Sequence, residues 1–229
     1  MNEGISLREK LRGLDSAEGK KNYLDEVEQL VRKIETKGEE IGRGMTADVL
    51  VDPQCQNICL KVIKRKEVFR NGAHHERELM QYARERGIHV PQPYGSIEEV
   101  DTDYLFMERI HGIDIRTIVE QDRFKELPGQ FDFKSFFEQL RVQVQKMHDA
   151  RLYHRDLHEG NIMVSFSDGS PVIIDLGSSL IQRVGGEDPY RVISAKGDLG
   201  VHPDDKNKIM EAYRFLGDYL KNNGYFQRK

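Results

Sequence analysis

The chain opens with charge-rich sequence in which Tyr23, Val27, Leu30, Val31 and Ile34 recur every three to four residues, which predicts an amphipathic helix from about Ala17 to Lys37. Leu7, Leu11 and Leu14 repeat the spacing upstream and suggest a shorter helix there. Such a stripe most often packs on the body of its own protein, and the alternative is a partner docked on it. The pattern then changes. Ile41 to Val51 and Ile58 to Ile63 are rich in β-branched and apolar residues and read as strands, with Asp52–Asn57 as a turn. A helix is predicted from about Ala73 to Arg86, closed by Gly87, and two more strands lie around Ser96–Glu98 and Tyr104–Met107. Between them Val90-Pro-Gln-Pro-Tyr-Gly95 reads as a break in regular structure.

Beyond Gly112 helical periodicity takes over. Ile115–Arg123 and Phe133–Ala150 read as helices, the second with Phe136, Phe137, Leu140, Val144 and Met147 on one face. Ile162–Ser165 and Pro171–Asp175 form a predicted hairpin, 178–200 reads as irregular, and a last helix runs from about Pro203 to Asn222. Its apolar face is Ile209, Met210, Tyr213, Leu216 and Leu220, and Asp204 and Asp205 suit its positive end. The fold class is α+β, with a strand-rich front and a helix-rich back: an N-terminal helical extension (1–38) and a two-lobed domain (39–229), its front lobe about 39–108 and its back lobe about 112–229.

Charge changes this picture little. The 229 residues carry a formal net charge of −4, which gives no case for bulk binding to nucleic acid. No apolar run reaches membrane-spanning length, no secretory signal pattern opens the chain, and only Cys55 and Cys59 are cysteines. A cytoplasmic location is the expectation.

Candidate chemistry concentrates at a few points. Gly42 and Gly44, within Ile41-Gly-Arg-Gly, permit close backbone approach to phosphates. Lys61 is a lone charge within an apolar strand and needs a partner, for which Glu76 and Glu78 of the next helix are candidates. His154-Arg-Asp-Leu-His-Glu-Gly-Asn161 offers a carboxylate at Asp156 and an amide at Asn161, and Val-Ile-Ile-Asp-Leu-Gly offers a second carboxylate at Asp175. Phosphoryl transfer needs one carboxylate near the attacking hydroxyl and other oxygen ligands to hold Mg²⁺.

Taken in order, the glycine loop, strand lysine, helix glutamate, hinge, Asp-x-x-x-x-Asn and Asp-x-Gly resemble the protein-kinase-like superfamily over about Glu39 to Ser179. The resemblance implies ATP and Mg²⁺ as cofactors. It implies that Ile41, Gly42, Arg43 and Gly44 cover the phosphates, that Val49 and Cys59 line the adenine pocket, and that Lys61 binds the phosphates while paired with Glu76. It further implies Met107 as gatekeeper, Glu108 and Ile110 as hinge contacts to adenine, Asp156 as catalytic base, and Asn161 and Asp175 as metal ligands. Ala47 stands where a third glycine is usual. His158 stands where serine/threonine kinases carry lysine, and Asp-Leu-His-x-Gly-Asn is similar instead to loops of lipopolysaccharide and aminoglycoside kinases. Gly87-Ile-His-Val-Pro-Gln-Pro resembles RIO-type kinases, and no Ala-Pro-Glu follows Asp175. The implied function is a kinase acting on a protein serine or threonine. A small-molecule kinase and a nucleotide-binding scaffold are the alternatives.

Overall fold

A computed structural model describes residues 20–44, 47–64, 72–186, 188–193, 199–202 and 204–227. The short helix expected around Leu7, Leu11 and Leu14 lies outside the described residues, as do the side chains of Tyr23 and Val27. Chain contacts divide the molecule into two units: residues up to Gln81 with Pro91–Arg109, and Tyr82–Val90 with the chain from Ile110 onward.

The first unit holds helix α1 (Lys20–Lys37), strands β1 (Glu39–Arg43), β2 (Ala47–Asp52) and β3 (Cys55–Lys64), helix α2 (from Ala73 to Glu85, its last turn in the second unit), β4 (Pro93–Glu98) and β5 (Thr102–Glu108). The strands form one antiparallel sheet in the order β1-β2-β3-β5-β4. Side chains alternate across a sheet, so β3 serves two faces at once. Ile58, Leu60 and Val62 pack with Tyr104 and Phe106 against Val31 and Ile34 of α1. Cys59, Lys61 and Ile63 point the other way and are equally buried. The helix is also tied at its polar edges: Lys33 Nζ donates to Asp52 Oδ2 at 2.8 Å, and the Tyr104 hydroxyl donates to Glu35 Oε1 at 3.1 Å. The described part of the α1 stripe is therefore spent on the chain's own sheet.

Prolines at 91 and 93 predict irregular backbone up to Gly95, yet β4 begins at Pro93. β4 is the sheet's edge strand, and Pro93 is its first residue, beside a register irregularity. That is the place where a missing N–H costs a sheet nothing.

The second unit gathers β6 (Gly112–Asp114), α3 (Ile115–Glu120), α4 (Phe133–Asp149), β7 (Leu152–Tyr153), β8 (Ile162–Ser165), β9 (Pro171–Ile173), β10 (Leu180–Ile181), β11 (Arg191–Ile193), β12 (Leu199–Val201) and α5 (Asp205–Asn222). Side-chain caps start three of its helices: Asp114 for α3, Asp132 for α4 and Asp204 for α5. The residues 82–90, read from sequence as part of the front lobe, belong here. Tyr82 donates to the Ala150 carbonyl (2.9 Å), His89 N to Gln143 Oε1 (3.0 Å), and Ile173 N to the His89 carbonyl (3.0 Å). Nor is 178–200 wholly irregular. β10 pairs with β7, and β11 pairs with β12 in a hairpin. These strands are two or three residues long, too short for a period to register. On α5 the buried face is Asp205, Ile209, Ala212, Leu216 and Leu220, whereas Met210 is 52% exposed and Tyr213 38%. Tyr213 still uses its ring, against Phe133 and Phe137 of α4.

Candidate active site

In the first unit, the central strand β3 carries Lys61 into an apolar layer where an unpaired ammonium could not persist. Its Nζ lies 2.7 and 2.9 Å from the two oxygens of Glu76 on α2. Both side chains are almost fully buried, at 4% and 1% exposure. Glu78 is 60% exposed and pairs with His74 on the helix surface, so the two candidate glutamates have separate fates. Around this pair the sheet register places Val49 opposite Lys61, and Cys59 opposite Met107. Cys59 is buried, with its thiol pushed up to about 12 chiefly by burial, so it acts as an apolar filler and not as a nucleophile. Gly42 pairs with Val49 across β1 and β2, between Ile41 and Arg43 of the same strand, and Gly44 N donates to the Ala47 carbonyl at 2.8 Å. Glu108, at the end of β5, exchanges contacts with Gln92: its N–H donates to the Gln92 carbonyl (2.8 Å) and its Oε2 accepts from Gln92 N (3.0 Å). Met107 and Glu108 belong to this unit, Ile110 to the second.

The second unit brings Asp156, Asn161 and Asp175 into one hydrogen-bonded frame. Asn161 Nδ2 donates to the Asp156 carbonyl at 2.8 Å, which fixes which end of the amide is nitrogen and leaves Oδ1 as the available ligand atom. The Asn161 carbonyl accepts from Ile174 N at 3.0 Å, so the residue before Asp175 is stitched to the same loop. Asp175 sits in the left-handed region at φ 60, and its Oδ1 accepts from Gly177 N at 3.2 Å. Few non-glycine residues tolerate that backbone; Asp does so more readily than most. His154 is completely buried and joins both segments: its Nε2 donates to the Ile174 carbonyl (3.0 Å), while Nδ1 accepts from Asp156 N (3.3 Å).

Sequence reasoning missed the residue beneath this frame. Asp205 is wholly buried at the start of α5 and accepts from the backbone N–H groups of His154 and Arg155, both at 2.9 Å. His148 Nε2 lies 3.1 Å from its Oδ2, and the Tyr190 hydroxyl donates to the same oxygen at 3.3 Å. Burial works to raise its carboxyl pKa, but the His148 hydrogen bond, the nearby His154 and the two backbone donors outweigh it and hold it below the ordinary value. Asp205 falls on the periodic buried face of α5, and that was the available signal: helix capping needs only Asp204.

The donor set fits Mg²⁺. Among the described residues no three His, Cys, Asp or Glu side chains gather as a self-sufficient metal site. An Asp carboxylate and an Asn carbonyl suit a hard cation that takes its other ligands from phosphates and water.

The protein kinase domain model matches residues 36–194, more than half of the chain. The chain belongs to the protein kinase domain family. This kinase domain is 27% identical over 176 residues to CBL-interacting serine/threonine-protein kinase 19 of Arabidopsis thaliana, covering 75% of the chain and 35% of that protein. It is 33% identical over 95 residues to the serine/threonine-protein kinase PSK1 of Saccharomyces cerevisiae, covering 39% of the chain and 7% of the relative. The chain thus spans about a third or less of the curated relatives it matches. A crystal structure of the BubR1 kinase domain superposes with a TM-score of 0.55 at 13% identity, over 78% of this chain and 60% of that one. That likeness concerns the fold alone.

One position of the kinase domain departs from expectation in an informative way. His158 Nδ1 accepts from Gly160 N at 3.0 Å and faces Arg116 Nη2 of α3 at 3.2 Å. Nδ1 thus faces two donors, and Nε2 lies 3.3 Å from the Nδ2 of Asn161. Burial chiefly, and then Arg116, lowers the His158 pKa, against the opposing pull of Asp156 and Glu159.

Proposed function

We propose that the chain is an ATP- and Mg²⁺-dependent protein kinase that phosphorylates serine or threonine. The observation that carries this reading is the buried Lys61–Glu76 pair at 2.7 Å, together with an Asn161 amide locked beside Asp156. A charge buried with such care inside a sheet costs stability and is retained for what it touches.

ATP with Mg²⁺ would supply the transferable phosphoryl group and a cation to offset its charge. Lys61, straightened by Glu76, holds phosphate oxygens. Asn161 Oδ1 and the Asp175 carboxylate would hold the cation. Asp156 orients the acceptor hydroxyl and receives its proton as the new oxygen–phosphorus bond forms and the bond to the leaving diphosphate breaks. The serine/threonine kinases among its relatives favour a protein acceptor, and the cytoplasm is the proposed location. His158 in place of lysine favours a second reading, a small hydroxyl-bearing acceptor.

The test offers labelled ATP and Mg²⁺ to the purified chain with protein, lipid and sugar fractions separately. Label is expected on protein serine or threonine, and it is expected to vanish in Asp156→Asn and in Lys61→Met. Label on sugar or lipid alone selects the second reading, and label on nothing, the chain itself included, leaves a nucleotide-binding scaffold.

A further inference from the structure

Arg116 is the second residue of α3, in a helix whose start Asp114 fixes by accepting from Thr117 N at 2.9 Å. Through Nη2 it is parked 3.2 Å from His158, two residues beyond Asp156 in sequence. Gly160 makes room for this arrangement, since a Cβ there would stand 3.0 Å from His158 Cε1 and 3.5 Å from Arg116 Cζ. Arg116 brings a guanidinium to this end of the loop. The side chain is 45% exposed, and among the described residues its Nε and Nη1 donate to nothing. The nearest carboxylate, Glu159 Oε2, is 3.8 Å from Nη2, beyond hydrogen-bond reach.

We infer that Arg116, held by His158, is a specificity-determining residue that favours acceptor peptides with an acidic or phosphorylated residue close to the target hydroxyl. The inference rests on the protein-kinase reading above and adds to it a substrate class. A guanidinium fixed at one nitrogen and solvated along the rest presents a planar pair of donors, the geometry that carboxylate and phosphate accept best. His158 contributes the anchoring contact. Glu159 contributes a weak internal competitor, which an incoming anion displaces.

The experiment uses the full chain and a set of serine peptides that differ in one flanking residue: Ala, Glu, Lys or phosphoserine, moved stepwise along both sides of the acceptor. Binding is read by fluorescence anisotropy and transfer by label incorporation, so the two readings fail separately. Expected is binding about threefold tighter for Glu than for Ala at the favoured position, and about tenfold for phosphoserine. Arg116→Glu should reverse the order so that the Lys peptide binds best, and Glu159→Gln should widen the preference for acidic peptides. A merely structural role for Arg116 would weaken all peptides alike and would not invert their ranking. Equal binding of the Glu, Ala and phosphoserine peptides, or a ranking unchanged in Arg116→Glu, overturns the inference whether or not transfer occurs. Ranked binding without transfer to any peptide sustains the preference of Arg116 for acidic and phosphorylated peptides and removes the protein-kinase reading, so the two fail separately.

Discussion

Asp205 shows how much one side chain can hold. Its carboxylate receives two backbone donors from the loop that carries Asp156, a ring nitrogen of His148 and the Tyr190 hydroxyl, with no exposure to water. Replacing one oxygen by an amide nitrogen sets donor against donor, so Asp205→Asn is expected to cost about 2–4 kcal/mol in urea unfolding. The pH dependence has a definite sign. The folded carboxyl pKa is lowered, so the stabilisation is complete above the unfolded value near 3.8 and is lost as pH falls through the lower folded value. The wild type should therefore lose more stability than Asp205→Asn as pH falls below about 4. Parallel loss in both proteins would show that Asp205 carries no such linkage. Of the candidate site, Lys61, Glu76, Asp156, Asn161 and Asp175 can be singled out in the sequence because their order and spacing resemble the motifs of a known family, and the contacts show Lys61 paired with Glu76 and Asn161 bonded to the Asp156 carbonyl. Asp205 cannot be, because a carboxylate at a helix start already has an ordinary explanation in the helix dipole.

The elements divide in the same way. The longer helices α4 and α5 could be read to within a few residues, since fifteen or more positions of one period outvote any exception. Short elements escape: β6 has no counterpart in the sequence pattern and β10 to β12 lie in a stretch that reads as irregular, because their pairing is set by distant partners and not by local pattern. Within α5, hydrophobicity puts Met210 and Tyr213 on the apolar face, whereas the buried face takes Ala212 and leaves both of them exposed. For α1 the sequence left two uses open, and the described stripe lies on the sheet. Ile34, 4% exposed against Ile58 and Leu60, should therefore cost about 2–4 kcal/mol when cut to alanine. Met210→Ala should stay within about 0.5 kcal/mol. Thermal or urea denaturation of the two variants side by side checks the assignment, and an innocuous Ile34→Ala would mean α1 is not part of the fold's core.

For the molecule as a whole, burial separates the two substitutions expected to abolish label transfer. Lys61→Met strands the Glu76 carboxylate in an apolar layer and is expected to destabilise by about 3–5 kcal/mol. Asp156 is only partly buried, and Asp156→Asn should unfold at nearly the wild-type urea concentration. Asp156→Asn is accordingly the cleaner reagent for separating chemistry from folding, and equal stabilities of the two variants would deny that Glu76 depends on Lys61. The Asp205 anchor has one more consequence, in time. Its hydrogen bond to His154 joins residues 51 apart, and the anchor comes last. At about 5–20 residues per second of synthesis, roughly 3–10 s pass between the appearance of the loop and of the residue that sets it. Through that interval the nascent loop lacks the two acceptors that Asp205 gives to His154 N and Arg155 N, so the order of synthesis leaves the backbone beside Asp156 without this anchor until α5 is made.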